Sequence, residues 1–437
     1  MASNTADVRA DVAIVGGGLA GLTAATYLAR AGRVVVLYER SSALGGRART
    51  QDHDGFLFNL GPHALYRGGA AMPILRELGV EWRGAIPRLS GSLLANGRRQ
   101  PLPTGLRGFL ATTILPWGAK AELLALVPRL LRLDCAPLDA MPLREWLARE
   151  VRHDALRRLL ESLVRVTSYS ADPERASAGA ALAQLRLGLT KNVEYLDGGW
   201  QTLVAGLRCA AQGAGVRIVT DARVEAVLRA PGTGAACGVR LADGTTRSAA
   251  TVLLATESQA TRALLADSSP LTTAAIDRAV PLRMACLDVA LSALPDPATS
   301  AIFGLDRPLY LVAHSATARL APRDGAIIHV GKYYSADRAA DPADDLHELE
   351  GLLDLAQPGW RDRIVTRRFL PQMRVSGALV TASAGGLAGR PDPAVPEVPG
   401  LFLAGDWVGP EGMLATAALA SARSAATHIL AALLQPA

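Results

Sequence analysis

An α/β fold is predicted by three observations. Asp11 to Arg47 reads as strand, glycine turn, helix, strand and second glycine turn. Gly198 to Thr256 returns as a helix followed by short apolar strands. Gly400 to Leu430 ends the chain on a strand, a Gly-Asp turn and a helix of small residues.

The first stretch is the most specific. Asp11-Val12-Ala13-Ile14-Val15 is a short apolar run, as expected of a strand covered on both faces. Gly16, Gly18 and Gly21 follow at once in GxGxxG spacing, Leu19 and Ala20 open a helix, and Gly32 closes it. Val34 to Tyr38 is a second strand, ended by Glu39. Gly16 permits the tight turn, Gly18 lets the backbone approach a pyrophosphate, and Gly21 lets helix and strand pack closely. The free N–H groups and the dipole at the helix start attract phosphate. A carboxylate at Glu39 accepts hydrogen bonds from a ribose diol and repels a 2′-phosphate. The glycines alone would also fit a plain glycine-rich loop. The register of strand, helix, strand and acid is what predicts a dinucleotide. Arg40 then precedes Leu44-Gly45-Gly46-Arg47. This second glycine pair suits another close approach to a long anion, and Arg47 is placed to hold a phosphate bidentately.

Composition narrows the class. A chain of 437 residues suffices for two domains with large cores. Half the residues are hydrophobic and 20% are charged, which excludes general disorder. The net charge of +6 is almost all arginine scattered among acids, with lysine only at 120, 191 and 332. No cationic block with interleaved aromatics occurs, so no nucleic-acid partner is expected. Cys135, Cys209, Cys237 and Cys286 form no CxxC pair, so neither a metal site nor a disulfide framework is expected. Reduced, buried thiols in a cytoplasmic protein are the expectation. Met1 to Ala10 lacks an apolar core and reads as a frayed lead-in, and no run predicts a transmembrane helix.

The continuation Glu39-Arg40 to Gly45-Gly46-Arg47 and Thr50 resembles the flavoprotein superfamily of amine oxidases, protoporphyrinogen oxidases and phytoene-type desaturases. The resemblance implies a Rossmann-type FAD-binding domain interleaved with an α+β substrate domain. The FAD domain would take 1–85, 197–258 and 390–437, and the substrate domain 86–196 and 259–389. No cysteine lies in the last segment, so non-covalent FAD is expected. Gly61-Pro62-His63 would carry the chain past the flavin ring. His63 there either transfers protons near neutral pH or is held in a structural turn.

Between the glycine motifs the chain is helical. Leu102 to Leu133 is apolar with regular arginines, and Pro116 and Pro128 are expected to break it into short helices. Its helices either wall the substrate domain or rest an arginine-edged apolar face on a membrane as a peripheral contact. Pro142 to Val166 continues helical. Further on, the resemblance places the backbone of Val224 at the adenine. Met284 to Leu291 resembles the strand that crosses the flavin face. Amine oxidases carry a lysine there, bonded through water to flavin N5, and this chain has Leu287. Lys332 is expected at the surface. Arg374 either holds an anionic substrate group or is solvated.

In the last segment the resemblance places Gly405 and Asp406 by the ribityl-pyrophosphate. The helix opening near Gly412-Met413 would point its positive end at the flavin pyrimidine. Trp407 either stacks near the ring or fills the core. Arg47 and Asp406 would grip one extended FAD from opposite ends. The implied activity is hydride transfer from a substrate C–H bond to flavin N5. Desaturation or dehydrogenation of an apolar isoprenoid or secondary metabolite ranks first, and amine oxidation second. Redox-neutral isomerisation and flavin binding without turnover stay open.

Overall fold

Short runs of branched and apolar residues pair into two seven-stranded sheets, and the glycine motifs belong to only one of them. The computed structural model describes residues 10–88, 90–102, 105–265, 269–338 and 340–434. The predicted lead-in, Ala10 excepted, lies outside them.

The first sheet runs in the order Arg217–Val219, Val35–Tyr38, Ala10–Val15, Thr246–Leu254, Ala236–Leu241 and Val224–Arg229, with Leu401–Leu403 also paired to Thr246–Leu254. The central pairings are parallel, and all three predicted stretches contribute. Val12, Ile14, Val35 and Leu37 bury one face under helices Leu19–Arg30, Ala71–Glu77, Gln201–Gly213 and Leu414–Leu434. Ala13, Val15, Val36 and Tyr38 bury the other with Val224, Val239 and Trp407. Coverage on both faces is why these strands read as unbroken apolar runs.

The second sheet has the order Ile364–Ser376, Leu282–Leu291, Ala326–Tyr333, Leu309–Ala313, Ala301–Gly304, Gly91–Ala95 and Arg98–Pro101. Leu287, Val289, Ile328 and Val330 pack against helix Pro342–Ala356 and Trp360. Met284, Tyr310 and Tyr333 lie on the opposite face with Phe56, Phe58, Tyr169 and Tyr195. That second face looks onto the chain leaving the glycine turns. Helices Trp117–Arg132, Leu143–Glu150, Asp154–Ser168 and Ala178–Lys191 form a separate apolar layer beside it.

Three expectations change here, for Pro128, the cysteines and Lys332. Pro116 does precede a helix, but helix Trp117–Arg132 runs through Pro128, where a break was predicted. Its first turn and buried face already fix the helix, so one missing N–H does not end it. Helix Leu414–Leu434 is long and apolar enough to cross a bilayer by length and composition. Its alanines instead pack closely on Leu19–Arg30, within the first core. Of the cysteines only Cys286 is buried, and Cys209 is exposed. Lys332, expected at the surface, is 1% exposed. It donates to Asp345 at 2.6 Å and also pairs with Glu348, both on helix Pro342–Ala356. A buried ammonium persists only with such partners, and sequence spacing does not reveal them.

Candidate functional site

The two glycine turns face each other. Gly16 has φ +109°, and a Cβ there would lie 2.5 Å from the Ala255 carbonyl oxygen. A Cβ on Gly21 would lie 1.9 Å from the Gly16 carbonyl oxygen. These two glycines are required by packing. Gly18 and Gly46 differ. The nearest atom to a Cβ on either is 3.9 Å away and belongs to the opposite turn. The Gly45 N–H donates to the Gly17 carbonyl at 2.8 Å and ties the turns together. The space left open lies at the start of helix Leu19–Arg30, where the N–H groups of Leu19 and Ala20 have no partner within the helix. This cradle fits a pyrophosphate.

Glu39 stands beside this cradle. It is 8% exposed; Oε2 accepts the Gly17 N–H at 2.7 Å and Oε1 the Ser41 N–H at 2.9 Å. These bonds fix the carboxylate and leave one lone pair on each oxygen for a ribose hydroxyl. Arg40 beside it is exposed. Val224 is buried at the head of its strand, in the apolar cluster that contains Tyr38. Glu39→Ala should raise the FAD dissociation constant roughly 10- to 100-fold, the loss of a charge-assisted bond worth about 1.5–3 kcal/mol. Flavin titration of the apoprotein measures it, and unchanged affinity would remove Glu39 from the ribose site.

Arg47 and Asp406 do not sit at opposite ends. Arg47 Nη1 and Nη2 donate to Asp406 Oδ2 and Oδ1, each at 2.8 Å, and Nη1 also donates to the Val375 carbonyl at 2.7 Å. The Gly377 N–H adds a bond to Asp406 Oδ2 at 3.1 Å. Burial would raise the Asp406 carboxyl, but the Arg47 charge and these bonds outweigh it and bring it down to about 2. The guanidinium fork is thus committed to a carboxylate and is not the free phosphate clamp that the sequence suggests. The strands preceding both motifs end at one edge of one parallel sheet, which is why residues so far apart in sequence meet. Gly405 is fixed beside them by Ser421, whose hydroxyl accepts its N–H at 3.0 Å. Met413, next to Gly412 at the head of the last helix, is buried against Ala180 and Val380.

Gly61 (φ +75°) turns the chain directly against the second sheet. A Cβ there would lie 2.4 Å from Met373 Cε and 3.6 Å from Cys286 Sγ. The Pro62 carbonyl accepts the Tyr169 hydroxyl at 3.2 Å. His63 Nδ1 lies 3.0 Å from the Gly61 carbonyl and Nε2 3.1 Å from the Arg47 carbonyl. Burial lowers His63 to about 4, so it is neutral at pH 7, and its single N–H donates to only one of these two carbonyls.

The other two catalytic candidates are also occupied. Trp407 is 1% exposed and donates Nε1–H to the Thr256 carbonyl at 3.1 Å. It fills the core instead of presenting a face to a ring. Arg374 pairs with Glu257 at 2.9 Å, so its charge is not free for a substrate anion. Leu287, which the resemblance aligns with the amine-oxidase lysine, points into the core under helix Pro342–Ala356. The face of its strand towards Gly61 carries Met284, Cys286 and Asp288. Asp288, His329, Arg368 and His314 belong to no motif and were missed. An aspartate within the apolar run Leu282–Leu291 was the available signal.

Comparisons with known proteins identify the family. A model of the family described as flavin containing amine oxidoreductase matches residues 19–283, more than half of the chain. Coproporphyrinogen III oxidase of Propionibacterium freudenreichii is 32% identical over 188 residues, covering 40% of this chain and 34% of that protein. 15-cis-Phytoene desaturase of Synechococcus elongatus is 28% identical over 211 residues, covering 43% and 44%. The chain thus spans less than half the length of these relatives. Among solved structures, cyclohexylamine oxidase from Brevibacterium oxydans superposes with a TM-score of 0.71 at 18% identity, covering 98% of this chain and 100% of that one. An oxidoreductase from Methanosarcina mazei gives 0.74 at 18% identity, covering 96% and 99%. Both likenesses concern the fold. The chain therefore belongs to the flavin containing amine oxidoreductase family, with FAD as its cofactor.

Proposed function

We propose that this protein desaturates an apolar substrate, removing hydride from one carbon and a proton from its neighbour. FAD, when bound, supplies the hydride acceptor. The chain orients the substrate, excludes water and takes the proton. One observation carries the choice of desaturation over oxygen-dependent amine oxidation: none of the three lysines is at the site. Lys332 is buried on the far face of the second sheet, Lys120 donates to the Leu110 carbonyl, and Lys191 is exposed. The face towards Gly61 is built from Met284, Tyr169, Tyr195, Tyr310 and Tyr333, an apolar and aromatic wall. Anaerobic mixing of the FAD-loaded protein with polyenes and saturated isoprenoids, while flavin absorbance is followed, tests this. Bleaching by an apolar substrate and recovery of a product with one more double bond are expected. Prompt peroxide formation from an amine in air would overturn it.

An apolar substrate reaches a protein most readily from a bilayer. Helix Trp117–Arg132 buries Ala119, Leu126 and Leu130 and turns Trp117, Leu124 and Leu131 outwards, at 69%, 64% and 45% exposure. These three recur every seventh residue, on one stripe of the helix. Leu110 adds to the exposed apolar surface, and Arg107 and Arg132 are exposed nearby. This is the composition of a face that rests in an anionic lipid surface. The protein is expected to sediment with phosphatidylglycerol vesicles and lose most of that binding when Trp117, Leu124 and Leu131 are all replaced by serine. Wild-type protein that stays in the supernatant would end the membrane reading.

A further inference from the structure

Helix Trp117–Arg132 covers a cavity of about 220 Å³ that lies in the helical layer, outside the flavin motifs. Its walls are apolar. Leu126, Leu130 and Leu133 come from this helix and its end, Leu138 from the turn Ala136–Leu138, and Met141 and Trp146 from the start of helix Leu143–Glu150 and the chain before it. Leu126, Leu130 and Trp146 are buried, and Leu133, Leu138 and Met141 are half-buried. Three charged side chains complete the lining: Arg129, Arg149 and Glu150. The two arginine side chains are 66% and 69% exposed, so they mark the mouth.

The walls choose the body of a ligand. Water gains little in such a space, because its hydrogen-bond partners stand only at the mouth. An apolar cavity of about 150 Å³ stays dry and takes up benzene, so this one has room for a chain of about eight to ten carbons.

The mouth chooses the head. Arg129 Nη2 donates to Glu150 Oε2 at 2.8 Å, and Arg149 Nε lies 3.5 Å from Oε1 of the same carboxylate. One carboxylate is shared by two guanidiniums, which leaves a positive charge over and most of their N–H donors open. The surroundings have the same sign. Between Gly105 and Lys191 thirteen arginines and lysines meet nine acids, so four of the six net positive charges lie in this layer. A carboxylate head is attracted to this mouth and a cationic head is repelled.

The position of the cavity decides where its ligand comes from. Leu126 and Leu133 stand about 200° round the helix from Leu124 and Leu131, on the side away from the outward apolar stripe. A chain lying in a bilayer under that stripe meets the wrong side of the helix. We propose that this cavity binds a free medium-chain carboxylate from solution, its chain along Trp146 and its head between Arg129 and Arg149. The site is separate from the flavin and depends on neither the desaturation nor the membrane reading.

Titration of the FAD-loaded protein with ω-bromodecanoate tests this. Bromine quenches a neighbouring indole, so part of the tryptophan emission should fall and saturate at micromolar ligand. Trp146→Phe should lack that component. Decanoate should displace the probe, and decanol should do so at least about 10-fold more weakly, for want of the charge-assisted bonds. Decyltrimethylammonium, which has the wrong charge, and acetate, which has no chain, should leave the probe bound. Replacing Arg129 and Arg149 together by glutamine should weaken decanoate by about 10-fold or more and leave decanol unchanged. Met141→Trp, which fills the cavity, should abolish the quenching. An unquenched wild-type protein, or displacement by the cation as strong as by decanoate, would overturn the proposal, and both are read on wild-type protein even if a variant folds poorly. The triple serine variant at Trp117, Leu124 and Leu131 should keep its decanoate binding. Loss of that binding together with vesicle binding would move the chain to the lipid-facing stripe and refute the cavity. A dimer on gel filtration that shows no quenching would make the cavity an interface between two copies and refute it equally.

Discussion

Gly21→Ala should yield a destabilised protein that no longer retains FAD. The new methyl would stand 1.9 Å from the Gly16 carbonyl oxygen and 3.4 Å from the Ala255 side chain. Backbone, not a flexible side chain, blocks it, so either the helix lifts from the sheet or the Gly16 turn opens. Overpacking of this kind costs about 3 kcal/mol. Both escapes move the helix start away from the cradle, and flavin affinity should fall at least about 100-fold, since each 1.4 kcal/mol is a factor of ten. Gly18→Ala is the control. Its methyl would meet no atom closer than 3.9 Å, so the apoprotein should unfold at an unchanged urea midpoint. Yet the methyl fills the space assigned to the pyrophosphate, and FAD binding should be lost. Urea unfolding and the ratio of flavin to protein absorbance separate the two effects. A Gly18→Ala protein as yellow as wild type would show that the cradle is not where the phosphates lie.

Asp406→Ala should be the most damaging substitution in the last segment. It removes both acceptors of the Arg47 fork and the partner of the Gly377 N–H. Breaking a buried ion pair from one side costs about 3–5 kcal/mol. Asp406 is 3% exposed, but a third of the Arg47 side chain still reaches solvent, so the lower end, about 3 kcal/mol, is expected. The pH dependence has a definite sign. Asp406 lies near 2 in the folded protein and at 3.8 as a free carboxyl. The folded state therefore binds fewer protons, and the pair stabilises it fully above about pH 4. That contribution fades as pH falls through 3.8 towards 2. Wild type should lose stability across this window, and Asp406→Ala should lose less. Equal urea midpoints at pH 7 would mean that the pair anchors nothing.

Much of the cofactor site was legible in the chain because its parts are local. Gly16, Gly18 and Gly21 do their work within one turn, and Glu39 ends the strand that follows. The same logic failed for His63, Trp407 and Arg374. Each was a plausible reactive group by type and position, and each is satisfied in the fold by a partner outside its motif: the Arg47 carbonyl, the Thr256 carbonyl and Glu257. Lys332 failed for the same reason, since its two carboxylates lie on a later helix. A hydrogen-bond partner distant in sequence leaves no trace in spacing.

The sequence by itself determined the fold class and the facing glycine turns at the head of the first helix, because backbone conformation and helix ends are dictated by neighbours along the chain, and its family resemblance gave the FAD cofactor. Tertiary structure alone decided that Arg47 holds Asp406, and that Leu287 faces away from the flavin side. It alone set Asp288 between His329 and Arg368. Those outcomes follow from strand register and sheet order, which bring together side chains that the sequence keeps apart.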